Sequence, residues 1–126
     1  MNGIYALTVG ASIAAAHRLR DYDGNCERLH GHNWRIDVTV ESDTLNDQGI
    51  AMDFPEIKSQ LSEILSRYDH MHLNEVPPFD TLNPSSENFA RHVFNEMEKR
   101  VTPPVKVSKV AVWESEGSRA EYIRGK

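Results

Sequence analysis

The chain has 126 residues, a length that fits one compact domain with a real core. Its formal net charge of −5 argues against a dedicated nucleic-acid binder, which carries a basic field, but leaves room for an anionic small molecule met by a few local cations. No apolar run approaches the ~20 residues of a membrane span, and Met1-Asn2-Gly3-Ile4-Tyr5 has no basic lead into an apolar segment, so neither a membrane partner nor a secretory signal is expected. Cys26 is the single cysteine, which rules out an internal disulfide and fits a reducing cytoplasm.

In chain order, the stretch from Ile4 to Ala16 is short on charge and rich in small and β-capable residues, and it reads as a strand. An irregular segment from Arg18 to Arg28 follows, with Asp23-Gly24-Asn25 as its turn. From His30 to Val40 the pattern has period 2: His30, His32, Trp34, Ile36, Val38 and Val40 share one face. Asn46-Asp47-Gln48-Gly49 is a turn or hairpin tip. Asp53-Phe54-Pro55-Glu56 opens a helix, with Asp53 as N-cap and Glu56 closing a capping box, and Phe54, Ile57, Leu61, Ile64, Leu65 and Tyr68 form its apolar stripe. A second helix begins near Asn83-Pro84-Ser85-Ser86-Glu87, with Pro84 suited to the first turn and a stripe of Phe89, Val93, Phe94 and Met97, and it stops at Pro103-Pro104. Val105 to Glu114 and Ala120 to Arg124 are the last two strands, joined across Glu116-Gly117-Ser118. The order β-β-α-α-β-β predicts an α+β fold, one domain over residues 1–126, with an antiparallel sheet and both helices on one face.

The residues able to carry chemistry cluster around His30-Gly31-His32. On a strand, positions i and i+2 project from one face, so these two imidazoles sit side by side, in phase with Trp34, Ile36 and Val38. Burying them there costs free energy unless something satisfies their nitrogens, and zinc, which binds imidazole at about 2.0–2.1 Å, is one such partner. His17 ends the first strand and, if that strand pairs antiparallel with the next, supplies a third ligand; three histidines with an open fourth position is a catalytic zinc arrangement. Cys26, four residues before His30, reads either as a fourth ligand or as a nearby thiolate.

Asp69-His70 follows the first helix: a carboxylate beside an imidazole fixes its tautomer and builds a general acid or base, the plain alternative being a histidine on a helix dipole. His72 reads as structural. Glu114 lies in phase with Val110 and Val112 on an inward face, where a carboxylate needs a partner such as a guanidine-like array of N–H donors.

Together, Ala14-Ala15-Ala16-His17-Arg18-Leu19, Cys26-Glu27-Arg28-Leu29-His30-Gly31-His32-Asn33, Met52-Asp53-Phe54, Asp69-His70 with Leu73-Asn74, Asn83-Pro84-Ser85-Ser86-Glu87-Asn88, Glu114 and Tyr122 resemble the pattern of the pterin synthases, the 6-pyruvoyl/6-carboxytetrahydropterin synthase family. The resemblance runs from about residue 10 to residue 123. It implies the tunnelling fold, in which four antiparallel strands and two helices per subunit join into a closed barrel, in trimers or dimers of trimers with active sites at subunit interfaces. It also implies Zn2+ on His17, His30 and His32, and a catalytic thiolate at Cys26. Asp69 with His70 takes the proton relay, and Glu114 anchors the pterin from the same chain or for a neighbour's zinc. Ser85 contributes to substrate binding where many members carry threonine.

The short gap between Cys26 and His30 looks like the 6-carboxytetrahydropterin synthase branch. The reaction it implies is conversion of 7,8-dihydroneopterin triphosphate to 6-carboxy-5,6,7,8-tetrahydropterin with release of acetaldehyde and triphosphate, on the route to queuosine. Related members without the cysteine use glutamate and form a hydroxymethylpterin. Arg18, Arg28 and Arg35 are candidates for the triphosphate by their proximity to the motifs.

Overall fold

A computed structural model describes residues 3–22 and 27–125. Two long strands, β1 (Tyr5–His17) and β2 (His30–Ser42), pair antiparallel along their whole length, from Tyr5 opposite Ser42 to His17 opposite His30. Helix α1 (Phe54–Leu65) follows, then a two-residue strand β3 (Met71–His72), a 3-10 turn over Leu73–Glu75 and helix α2 (Ser86–Glu98). The chain closes with β4 (Lys106–Ser115) and β5 (Ser118–Ile123). The sheet order is β3-β1-β2-β4-β5.

The expected four-stranded antiparallel sheet is therefore corrected to five strands of mixed direction, because Met71 and His72 pair parallel with Ala15 and Ala16. Two residues carry no periodicity, and what makes them a strand is the docking of the segment after α1 against the end of β1.

Strand alternation decides the core. Val9, Ile13 and Ala15 of β1, Trp34, Ile36, Val38 and Val40 of β2, and Val107, Val110 and Val112 of β4 are buried beneath the helices. α1 contributes Ile57, Leu61, Ile64 and Leu65, and α2 contributes Phe89, Ala90, Val93, Phe94 and Met97. Three details depart from the sequence expectation. Phe54 begins α1 but is exposed, so the stripe starts at Ile57. Asp53 has the extended backbone of an N-cap without a side-chain cap bond, so no capping box forms. Pro84 precedes α2 rather than entering its first turn, and Ser85 caps it by accepting from the Asn88 N–H at 3.1 Å.

No helix of the described residues is long and apolar enough to cross a membrane.

Candidate metal centre and its surroundings

The cross-strand pair His17–His30, with His32 two residues on, brings three imidazoles to one end of the core face. His17 is 2% exposed, and its ring packs edge-on against His30, His32 and Trp34 at centroid distances of 4.7, 5.2 and 4.8 Å. Trp34 is pinned there by donating its indole N–H to the Ala15 carbonyl at 3.1 Å. Glu114, in phase with Val110 and Val112 on β4, completes the group: one donor atom from each of His17, His30, His32 and Glu114 lies within 4.8 Å of the others.

The donor set fits a metal ion. His17 Nδ1 lies 2.7 Å from the Pro84 carbonyl and His30 Nδ1 lies 2.7 Å from the Arg28 carbonyl. Carbonyls only accept, so each Nδ1 carries the proton and each Nε2 keeps its lone pair. Those two Nε2 atoms face one another at 3.1 Å, an arrangement that requires a proton or a cation between them. His32 Nε2 is buried without an aligned hydrogen bond, although Glu114 Oε1 is 3.2 Å away. Ligands around a tetrahedral zinc stand about 3.3 Å apart, close to these separations. Burial holds the His17 imidazole below its ordinary pKa, against the opposing pull of the Pro84 carbonyl, so the neutral form that a metal requires is favoured.

Asp69 and His70 dock on Ala14 of β1, three residues before His17. The Asp69 carboxylate accepts from the Ala14 N–H at 3.0 Å and lies 3.0 Å from His70 Nδ1. That backbone N–H first, and His70 after it, hold the Asp69 carboxyl below its ordinary value. Asp69 stands four residues past the end of α1, its N–H still donating to the Leu65 carbonyl at 3.2 Å. His70 has φ 61 and is exposed; with His32, His72 and Asn33 it borders a groove of about 540 Å³ floored by Ala14, Ala16 and Gly31. His72 sits in β3 with Nδ1 3.4 Å from Glu75 and Nε2 buried without a hydrogen-bond partner among the described residues.

Glu114 stands beside the histidines of its own chain, and Ser86 Oγ donates to its Oε2 at 3.4 Å. Ser85, the expected substrate contact, has its hydroxyl engaged as the helix cap while it lines a small cavity of about 150 Å³ with His17, Tyr22, Ser86 and Glu114. Arg35 is paired with Asp37 at 3.0 Å, and by strand alternation it points to the sheet face opposite the histidines. Cys26, and the turn over Asp23-Gly24-Asn25, lie outside the described residues.

Sequence reading missed the polar frame around this centre. Asn74 and Asn83 each hold the backbone of a residue just past His17, and Pro84 holds the His17 ring. The available signal was two asparagines placed beside buried positions, in Leu73-Asn74 and Asn83-Pro84.

With the geometry in hand, comparison with known proteins is decisive. The sequence model of the 6-pyruvoyl tetrahydropterin synthase family matches residues 6–125. The chain belongs to this family. Among curated relatives, a 6-carboxy-5,6,7,8-tetrahydropterin synthase of Synechocystis sp. is 35% identical over 117 residues, covering 89% of this chain and 88% of that protein. A dihydroneopterin monophosphate aldolase of Pyrococcus furiosus is 31% identical over 104 residues, covering 82% and 84%. Among solved structures, the 6-pyruvoyl tetrahydropterin synthase of Caenorhabditis elegans superposes with a TM-score of 0.84 over 98% of both chains at 23% identity, a likeness of fold.

Proposed function

We propose that the protein is a zinc-dependent 6-carboxy-5,6,7,8-tetrahydropterin synthase, converting 7,8-dihydroneopterin triphosphate with release of acetaldehyde and triphosphate, in queuosine biosynthesis. The observation that carries this reading is the facing pair of His17 and His30 Nε2 lone pairs beside His32 Nε2, a centre that calls for a cation. Family membership and the Synechocystis relative's name support the pterin chemistry.

In this reading His17, His30 and His32 hold the ion, which when bound supplies Lewis acidity toward hydroxyls of the substrate side chain. Glu114 anchors the pterin by accepting from its 2-amino and ring N–H groups, and Ser86 orients that carboxylate from the start of α2. Asp69 keeps the proton of His70 on Nδ1, which leaves His70 Nε2 free to take and return a proton at the groove. Cys26 moves a proton off the substrate side chain as a thiolate.

We further propose that subunits join edge to edge into trimers or dimers of trimers. β3 covers only Ala15 and Ala16 of β1, so the rest of that strand's outer edge, like that of β5, has no strand partner among the described residues. Tyr5 and Ile123 lie exposed on these two edges, and closure into a barrel would pair them.

Mass spectrometry of the products from zinc-loaded protein and 7,8-dihydroneopterin triphosphate tests the reading. 6-Carboxytetrahydropterin with acetaldehyde is the expected result. A pyruvoyl- or hydroxymethylpterin would keep the family chemistry and overturn the branch, and untouched substrate would favour a non-catalytic metal-binding role.

A further inference from the structure

On its β3 side β1 has no strand partner past Ala16 among the described residues, yet the chain beyond it stays paired on that side. Asn74 accepts the Arg18 N–H through Oδ1 at 2.9 Å and donates from Nδ2 to the Arg18 carbonyl at 2.9 Å. Asn83 does the same for Arg20, at 2.7 and 3.0 Å. Each side-chain amide thus offers one acceptor and one donor, as a neighbouring peptide would, and carries the ladder past the end of the sheet. The Arg20 guanidinium ties the connecting segment down by donating to the carbonyls of Asn74, Phe79 and Leu82.

Asn83 is held from its own side too, since its carbonyl accepts from Asn88 Nδ2 at 2.9 Å. The next residue is Pro84, which is buried and whose carbonyl faces His17 Nδ1. The carbonyl that sets the His17 tautomer is therefore located by an amide stitched to the backbone three residues beyond that same histidine.

We propose that Asn83 is a positioning residue of the metal centre: by fixing the Pro84 carbonyl against His17 Nδ1, it keeps the His17 Nε2 lone pair directed at the ion. The inference rests on the reading of His17, His30 and His32 as metal ligands. Without Asn83 the carbonyl is free to drift, and the competing tautomer places a proton on the ligand nitrogen. Groups that orient a ligating histidine through its second nitrogen are worth roughly 10- to 100-fold in metal affinity.

The test measures Zn2+ affinity by chelator competition, with Co2+ absorption reporting coordination, in the wild type, Asn83→Ala and Asn46→Ala. Asn46 accepts two loop N–H bonds, from Gln48 and Ile50, away from the site and controls for a purely structural loss. Asn83→Ala is expected to bind about 10- to 100-fold more weakly with its fold retained, and Asn46→Ala to match the wild type. Nitrogen NMR of the metal-free wild type is expected to show His17 protonated on Nδ1. Equal affinity in a folded Asn83→Ala, or a wild-type His17 protonated on Nε2, overturns the inference; the second result decides it even if the variant does not fold. A wild type that binds neither metal fails at the earlier step, the ligand reading, and takes the inference with it.

Discussion

His17 and His30 turn their Nε2 atoms toward each other at 3.1 Å while each Nδ1 meets a backbone carbonyl at 2.7 Å. Two Nε2 lone pairs so arranged need a proton or a cation between them, and a metal ion held by both would supply it. Zinc is expected to raise the melting temperature of the metal-stripped protein. His30→Ala is expected to abolish that rise and to reduce zinc content below stoichiometry by elemental analysis.

Glu114 stands within reach of His32 and of the space beside the centre, which admits two roles, fourth ligand or pterin anchor. Glu114→Gln separates them. As an anchor, the glutamine variant keeps its zinc and loses about 10²-fold or more in kcat/KM, since a buried array of N–H donors on the pterin loses its carboxylate. Loss of zinc in this variant would make Glu114 a ligand.

Asp69 has two tasks, accepting the Ala14 N–H and holding His70. Asparagine can still accept from Ala14 through its carbonyl oxygen but carries no charge for His70. Asp69→Asn is therefore expected to keep the wild-type melting temperature while kcat falls about 10²- to 10⁴-fold. Asp69→Ala is expected to lose both. Thermal unfolding and steady-state kinetics on the same preparations check the pair.

How far all this was legible depends on where the pattern was local. The alternation His30, His32, Trp34, Ile36, Val38, Val40 gave the core face of β2 because a strand between helices and an open face must alternate. The same logic put Glu114 in line with Val110 and Val112, whereas His17 needed the further assumption that the first two strands pair antiparallel, and its register opposite His30 is a finding of the structure. Phe54 was miscounted because helical spacing alone does not say where the sheet beneath stops. β3 was invisible, since its two residues are a strand only through docking onto Ala15 and Ala16. The Asn74 and Asn83 clamps join residues 56 and 63 positions apart, so the two asparagines beside buried positions give no sign of which backbone they hold.

His92 of α2, half-buried against Tyr68 and Phe79, gives a stability prediction independent of the metal. It is hydrogen-bonded to the buried Tyr68 hydroxyl at 2.8 Å, and burial first, then Lys99 and Arg67 against an opposing Glu96, holds its pKa below the ordinary value. The unfolded chain binds a proton near pH 6.5 that the folded chain accepts only at lower pH. The associated stability is present above about 6.5 and is lost as pH falls from there through the folded value, with a slope of at most about 1.4 kcal/mol per pH unit. His92→Gln keeps a partner for Tyr68 and removes the titration, so its denaturation midpoints should fall less steeply with acid than those of the wild type.

The central claim, a zinc enzyme that works through a thiolate, is tested most directly by comparing the wild type with Cys26→Ala for turnover of 7,8-dihydroneopterin triphosphate and for bound zinc in the same samples. The account predicts that the variant keeps its zinc and loses nearly all product. Full turnover in Cys26→Ala, or loss of its zinc, would contradict the thiolate role.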